Sequence, residues 1–162
     1  FISAGLKNIA LVTTEKYFNV SESRRYGYLD ALEAHNIKIE ENLILTLPHD
    51  MENDRLITEF FQNNKVDAVL CVNEIFAIQC MSIIQNLGFN VPNDISIIGF
   101  TNGILSKFSV PRLSTVAQHG ETMGERAAKL LIDRMEWVDE VEEPFKTEVI
   151  NATLIKRGSS IN

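Results

Sequence analysis

The most constraining feature of this chain is a strand that never alternates. Residues 68–72 read AVLCV, five apolar residues in a row, followed at once by the polar pair Asn73-Glu74. A strand wet on one side alternates apolar with polar residues, whereas one covered on both faces does not. A helical pattern follows, then a second apolar run, ISIIGF over 95–100, which ends in Thr101-Asn102-Gly103. Strand, helix and strand at this spacing predict a parallel pair joined by a right-handed crossover. In an open parallel sheet, ligands sit just beyond the carboxyl ends of the strands. The stretch 66–114 therefore supplies two walls of a binding cleft.

The same rhythm runs through the rest of the chain. A first strand is expected over 8–14 (NIALVTT) and a helix from Ser21 or Ser23 to about His35, with Tyr28, Leu29 and Leu32 inward. A second strand follows over 43–47, then a helix over 50–63 with Leu56, Ile57, Phe60 and Phe61 inward. The third helix runs from Ile75 to Leu87, stopped by Gly88 and by Pro92 beyond it. After the fourth strand a loop passes Pro111 to an extended segment at 113–117. The helix expected over 122–138 is strongly amphipathic, with Ala127, Leu130, Leu131 and Met135 on one stripe. A turn over 139–144 and an extended segment over 146–156 close the chain. The predicted class is α/β, a parallel sheet flanked by helices on both faces.

With 162 residues the chain is long enough for one domain with a real core. Its net charge of −7 argues against this segment gripping a nucleic-acid backbone. No apolar run approaches the roughly 20 residues of a membrane span. No secretory leader is visible, and a first residue other than Met points to a fragment or a processed form. Cys71 and Cys80 fall inside a strand and a helix, as small buried hydrophobes of a reducing, cytoplasmic setting.

Several chemistries lack their residues. There is no Walker or G-x-G-x-x-G phosphate loop and no G-x-S-x-G elbow. His35, His49 and His119 stand alone, so no metal site and no cofactor are expected. A phosphoacceptor domain of the same rhythm would want an Asp ending the third strand, where Asn73 stands.

Five polar residues are candidates for one cleft. Arg24 lies in the first turns of the first helix, Asn73 follows the third strand, Thr101 and Asn102 follow the fourth, and Gln118 ends the segment after the loop. Arg brings a rigid fork of donors, Asn and Gln a donor and an acceptor each, Thr a hydroxyl. Such a set suits a neutral polyhydroxyl or a small anion. It contains no nucleophile–base–orienter arrangement, so binding without catalysis is expected. Each residue also has a plainer role: Arg24 as a surface ion-pair partner, Asn73 as a helix cap, Thr101 as a turn residue.

The ordered motifs carry a resemblance. SRRYG over 23–27, the strand–helix turn over 67–77, VPNDISIIGF over 91–100, PRLSTVAQ over 111–118, GERAAKLL over 124–131 and TLIKRGS over 153–159 are collinear with the effector domain of lactose-repressor-type (LacI/GalR) transcriptional regulators. The chain resembles that family over nearly its whole length. The resemblance implies a periplasmic-binding-protein-like fold of two lobes, with a small effector such as a sugar held between them. It implies effector contacts at Arg24, Asn73, Thr101 and Gln118, with Asn102 as a substitute acceptor, since the family usually has Asp where Thr101 stands. It assigns 1–112 and 146–158 to the C-terminal lobe and 113–140 to the N-terminal lobe. It also implies a homodimer through the helix from Ile75 to Leu87 and the loop near Phe108 and Ser109. DNA would be bound only by a head outside this chain. The alternative on the same fold is a periplasmic solute-binding protein; an enzyme on a similar sheet is the more distant one.

Overall fold

The computed structural model describes residues 1–15, 19–48, 52–137 and 145–161. His49 and the turn expected over 139–144 lie outside the described residues. Six strands form one sheet: β1 (Ile9–Thr14), β2 (Ile44–Leu47), β3 (Ala68–Cys71), β4 (Ser96–Thr101), β5 (Ser114–Ala117) and β6 (Thr153–Ile155). Their spatial order is β2-β1-β3-β4-β5-β6, parallel throughout except for the antiparallel β5–β6 pair. The longer helices are α1 (Asn19–Ala34), α2 (Asp54–Asn63), α3 (Glu74–Asn86), α4 (Ile104–Phe108) and α5 (Gly120–Met135).

Right-handed crossovers place α1 on one face of the sheet and α2 and α3 on the other. On the α2–α3 face, Val12, Val69, Cys71 and Ile97 form one buried cluster with Ile57, Phe76, Ala77, Cys80 and Ile84. The α1 face is less complete. The strand register puts Ile9, Leu70, Phe100 and Val116 on this face, and the last three are only half-buried. The apolar run 68–72 predicts cover on both sides; at Leu70 the α1 side is a groove instead. Both cysteines are buried and free, and burial with a neighbouring thiol pushes Cys71 above the usual range.

The segment that begins at residue 113, expected in the other lobe, starts with β5, which hydrogen-bonds alongside β4 in the same sheet. The final extended segment is shorter than its apolar pattern, with only Thr153–Ile155 laddered. The loop expected before Pro111 contains the short helix α4. Beyond β6 the chain is pinned between the starts of β4 and β5. Ser159 Oγ donates to the Ile97 carbonyl at 2.7 Å and accepts from the Ser114 amide at 2.8 Å. Ser114 Oγ and Ser160 Oγ share a hydrogen bond of 2.8 Å. No helix among the described residues is long and apolar enough to cross a membrane.

Helix α3 sits so close to β4 that the strand tolerates no side chain at Gly99. A Cβ there would lie 2.9 Å from Ala77 Cβ and 3.2 Å from Leu113 Cδ2. Gly27, inside α1, has nothing within 4 Å of the same built atom. The two substitutions should move stability in opposite directions. In urea denaturation, Gly99→Ala is expected to lose about 1–3 kcal/mol by overpacking, whereas Gly27→Ala gains about 0.5–1 kcal/mol from helix propensity.

Candidate functional site

The parallel order places the ends of β3 and β4 side by side, and α1 starts close above them. Arg24 makes this junction. Its Nη1 donates to the Val72 carbonyl at 2.5 Å, and its guanidinium carbon lies 4.3 Å from the centre of the Phe100 ring. Val72 precedes Asn73 and Phe100 precedes Thr101. One side chain therefore touches the residues that carry both strand ends. Burial lowers the Arg24 pKa from its usual value, the direction expected for a desolvated cation.

Asn73 is the N-cap of α3, its Oδ1 accepting from the Phe76 amide at 2.7 Å. Glu74 Oε1 accepts the Ser106 amide at 2.8 Å, which ties the start of α3 to α4. Thr101 and Asn102 both have positive φ, 104° and 60°. A β-branched residue in that region is strained by about 1–3 kcal/mol, so neighbouring contacts must hold it. Asn102 supplies two of them. Its backbone N–H donates to Thr115 Oγ1 at 3.2 Å, and its Oδ1 accepts from Arg157 Nη2 at 2.5 Å. Arg157 also donates through Nη1 to the Leu113 carbonyl at 2.7 Å.

Sequence reasoning missed Arg157. It lies in the terminal Lys-Arg-Gly-Ser run, where only its place in a collinear motif distinguishes it from any surface arginine. The side-chain oxygen of Asn102, expected to substitute for a missing carboxylate acceptor, is turned to Arg157.

A groove of about 720 Å³ opens along the α1 face. Arg24 and Gln118 line it together with Phe1, Leu70, Phe100 and Val116. Asn73, Thr101 and Asn102 are not in its lining and stand instead at the strand ends beside it. Tyr28 forms part of its wall, its hydroxyl donating to the Ile9 carbonyl at 2.8 Å. Among the described residues, no group of three or more His, Cys, Asp or Glu could hold a metal ion.

Comparison with known proteins agrees with this architecture. Residues 1–160 match the periplasmic binding protein-like domain family. The chain is 31% identical over 160 residues to the HTH-type transcriptional repressor PurR of Escherichia fergusonii, covering 98% of this chain and 46% of that protein. It superposes on the transcriptional repressor ascG of Escherichia coli with a TM-score of 0.87 at 30% identity, over 99% of this chain and 58% of that one. A sugar-binding transcriptional regulator of the LacI family from Escherichia coli, solved in complex with phosphate, gives a TM-score of 0.86 at 27% identity, over 99% and 57% of the two chains. The chain thus spans about half the length of the curated repressor it matches.

Tyr28 generates a prediction for high pH. Burial, with Glu41 nearby, pushes its phenol up to about 12, from an ordinary value of about 10. The folded state holds this proton more tightly than the unfolded chain, so its contribution is complete below pH 10 and is lost as pH rises towards 12. Denaturant midpoints across that window should fall more steeply for the native chain than for Tyr28→Phe. Parallel slopes would show that the phenol does not titrate differently in the two states.

The fold, the collinear motifs and these likenesses agree on one assignment: this chain belongs to the periplasmic binding protein-like domain family, in the form found in LacI-type transcriptional regulators.

Proposed function

We propose that the chain is the effector-sensing part of a transcription regulator, binding a small metabolite at the strand ends marked by Arg24, Asn73 and Thr101, with Gln118 beside them. The observation that carries the proposal is the bridge of Arg24 across the ends of β3 and β4. Residues 24, 73 and 101 are far apart in sequence, yet the fold brings them to the neighbouring ends of β3 and β4. Asn73 can cap α3 with its oxygen and still offer its amide NH₂ to a ligand. The relatives named above are transcriptional regulators, which supports regulation over catalysis.

Regulation needs a second surface that senses the ligand. Helix α5 has no buried residue among those described, and Leu131, Ile132 and Met135 are 60%, 53% and 76% exposed. Leaving such side chains wet forgoes roughly 1.5–3 kcal/mol each. The proposed partner of this stripe is the other lobe of a two-lobed body. In that arrangement 1–112 and 146–158 form one lobe, β5 completes its sheet, and the chain crosses over after Ala117. A ligand held between the lobes favours the arrangement to which it binds better, and only that difference can shift a DNA-binding equilibrium. The acidic balance of this chain supports placing DNA contact outside it.

A homodimer is the third part of the proposal. Ile75, Ile104, Leu105, Phe108 and Val110 expose apolar surface around α4, and Gln85 Nε2 on α3 donates to the Val110 carbonyl at 3.0 Å, joining the two elements. A patch of this kind is self-complementary in a twofold dimer.

Two measurements on the protein with its native flanking sequence test these points. Calorimetric titration with sugars, nucleosides and phosphorylated sugars should give a hit that changes affinity for operator DNA and that Arg24→Ala abolishes; unchanged affinity would remove Arg24 from the site. Phe108→Glu should shift sedimentation from dimer to monomer with the circular dichroism spectrum intact, and a persisting dimer would move the interface elsewhere.

A further inference from the structure

Three of the acceptors at the proposed rim already take one hydrogen bond each. Asn73 Oδ1 takes the Phe76 amide, Asn102 Oδ1 takes Arg157 Nη2, and Glu74 Oε1 takes the Ser106 amide. The other oxygen of Glu74 is folded against the Gly103 turn, where a Cβ would lie 2.3 Å from it. The donors are not engaged to the same degree. Arg24 spends one N–H on Val72 and keeps four others, and the amide NH₂ groups of Asn73 and Asn102 remain after their oxygens are used. Gln118, half-buried in the groove beside Arg24, and the Thr101 hydroxyl are the members that can give or take.

Charge points the same way. The chain carries 22 acidic and 15 basic side chains, yet among the described residues no carboxylate forms an ion pair with Arg24. Its neighbours are an aromatic face and a carbonyl. A half-buried guanidinium without a counter-ion has given up part of its hydration and recovers most from a charged acceptor, which it can bind in a forked geometry. A neutral polyhydroxyl, by contrast, offers only uncharged acceptors and brings hydroxyl donors of its own, while the rim oxygens of Asn73, Asn102 and Glu74 each already accept one hydrogen bond.

We infer that the effector is an anion, a small polar molecule whose carboxylate or phosphate is held by Arg24. This rests on the effector-binding reading above and narrows it to a chemical class. Thr101 and the side-chain amides then serve the hydroxyls or ring atoms of the same molecule, and the apolar wall of Phe100 and Val116 receives its uncharged part.

The test uses matched compounds that differ only in the acidic group: glucose, glucuronate and glucose 6-phosphate, with adenosine and adenosine 5′-monophosphate as a second set. Each is titrated calorimetrically into the protein with its native flanking sequence. An acidic member should bind about tenfold or more tightly than its neutral parent. Arg24→Lys should keep that preference and Arg24→Gln should erase it, with circular dichroism confirming that both variants fold. A neutral parent that binds as well as its acid, or a preference that survives Arg24→Gln, overturns the inference and leaves the effector reading standing. If no compound of either set binds and none alters affinity for operator DNA, the effector reading itself fails, and the inference with it.

Discussion

Most of what this chain offers a ligand depends on one contact, the Arg24 side chain laid across the ends of two neighbouring strands. The contact exists because β3 and β4 are parallel and adjacent, which brings Val72 and Phe100 to the same edge. It also depends on α1 beginning above that edge, as a right-handed crossover from β1 requires. Remove the parallel order and Arg24, Asn73 and Thr101 have no reason to meet. The hydrophobic core serves this geometry: α3 packs so closely on β4 that Gly99 is obligatory, and the tight packing fixes where Asn73 and Thr101 stand.

A second layer holds the rim from behind. Two consecutive residues with positive φ end β4, and Thr101 is β-branched. The contacts that offset this strain come from the far end of the chain, where Arg157 reaches Asn102 and Leu113 and Ser159 and Ser160 lock the starts of β4 and β5. The last ten or so residues are thus part of the site's support although none lies in the groove lining. The same arrangement gives the Asn102 side-chain oxygen a hydrogen bond from Arg157.

The class of fold was legible because buried parallel strands leave a pattern that little else mimics. AVLCV and the run ending at Phe100 sit where expected, and Gly88, with φ of 90°, ends α3 as its place before Pro92 suggests. Three things were harder to read. Helix α4 has five residues, too short for a helical period to show. The extended reading of 146–156 rested on β-prone residues, but strand formation needs a partner, and β5 offers only Ala117, Val116 and Thr115. The engagement of Asn102 with Arg157 is a contact across 55 positions, invisible to any local pattern. The candidate site residues are legible from their places after strands and from the family motif, whereas Phe100 as the platform under Arg24 is hidden by its ordinary role as a strand residue.

The central claim is that the ends of β3 and β4, with Arg24 between them, form the seat for a ligand. Its most direct test is chemical-shift mapping by NMR on isotope-labelled protein during titration with glucose 6-phosphate. The account predicts that the Arg24 side chain, the Asn73 and Asn102 side-chain amides and the Gln118 side chain shift together, with one saturation curve. Shifts concentrated at the opposite edge of the sheet, around Glu41 and Thr46, with those four groups unmoved, would contradict it.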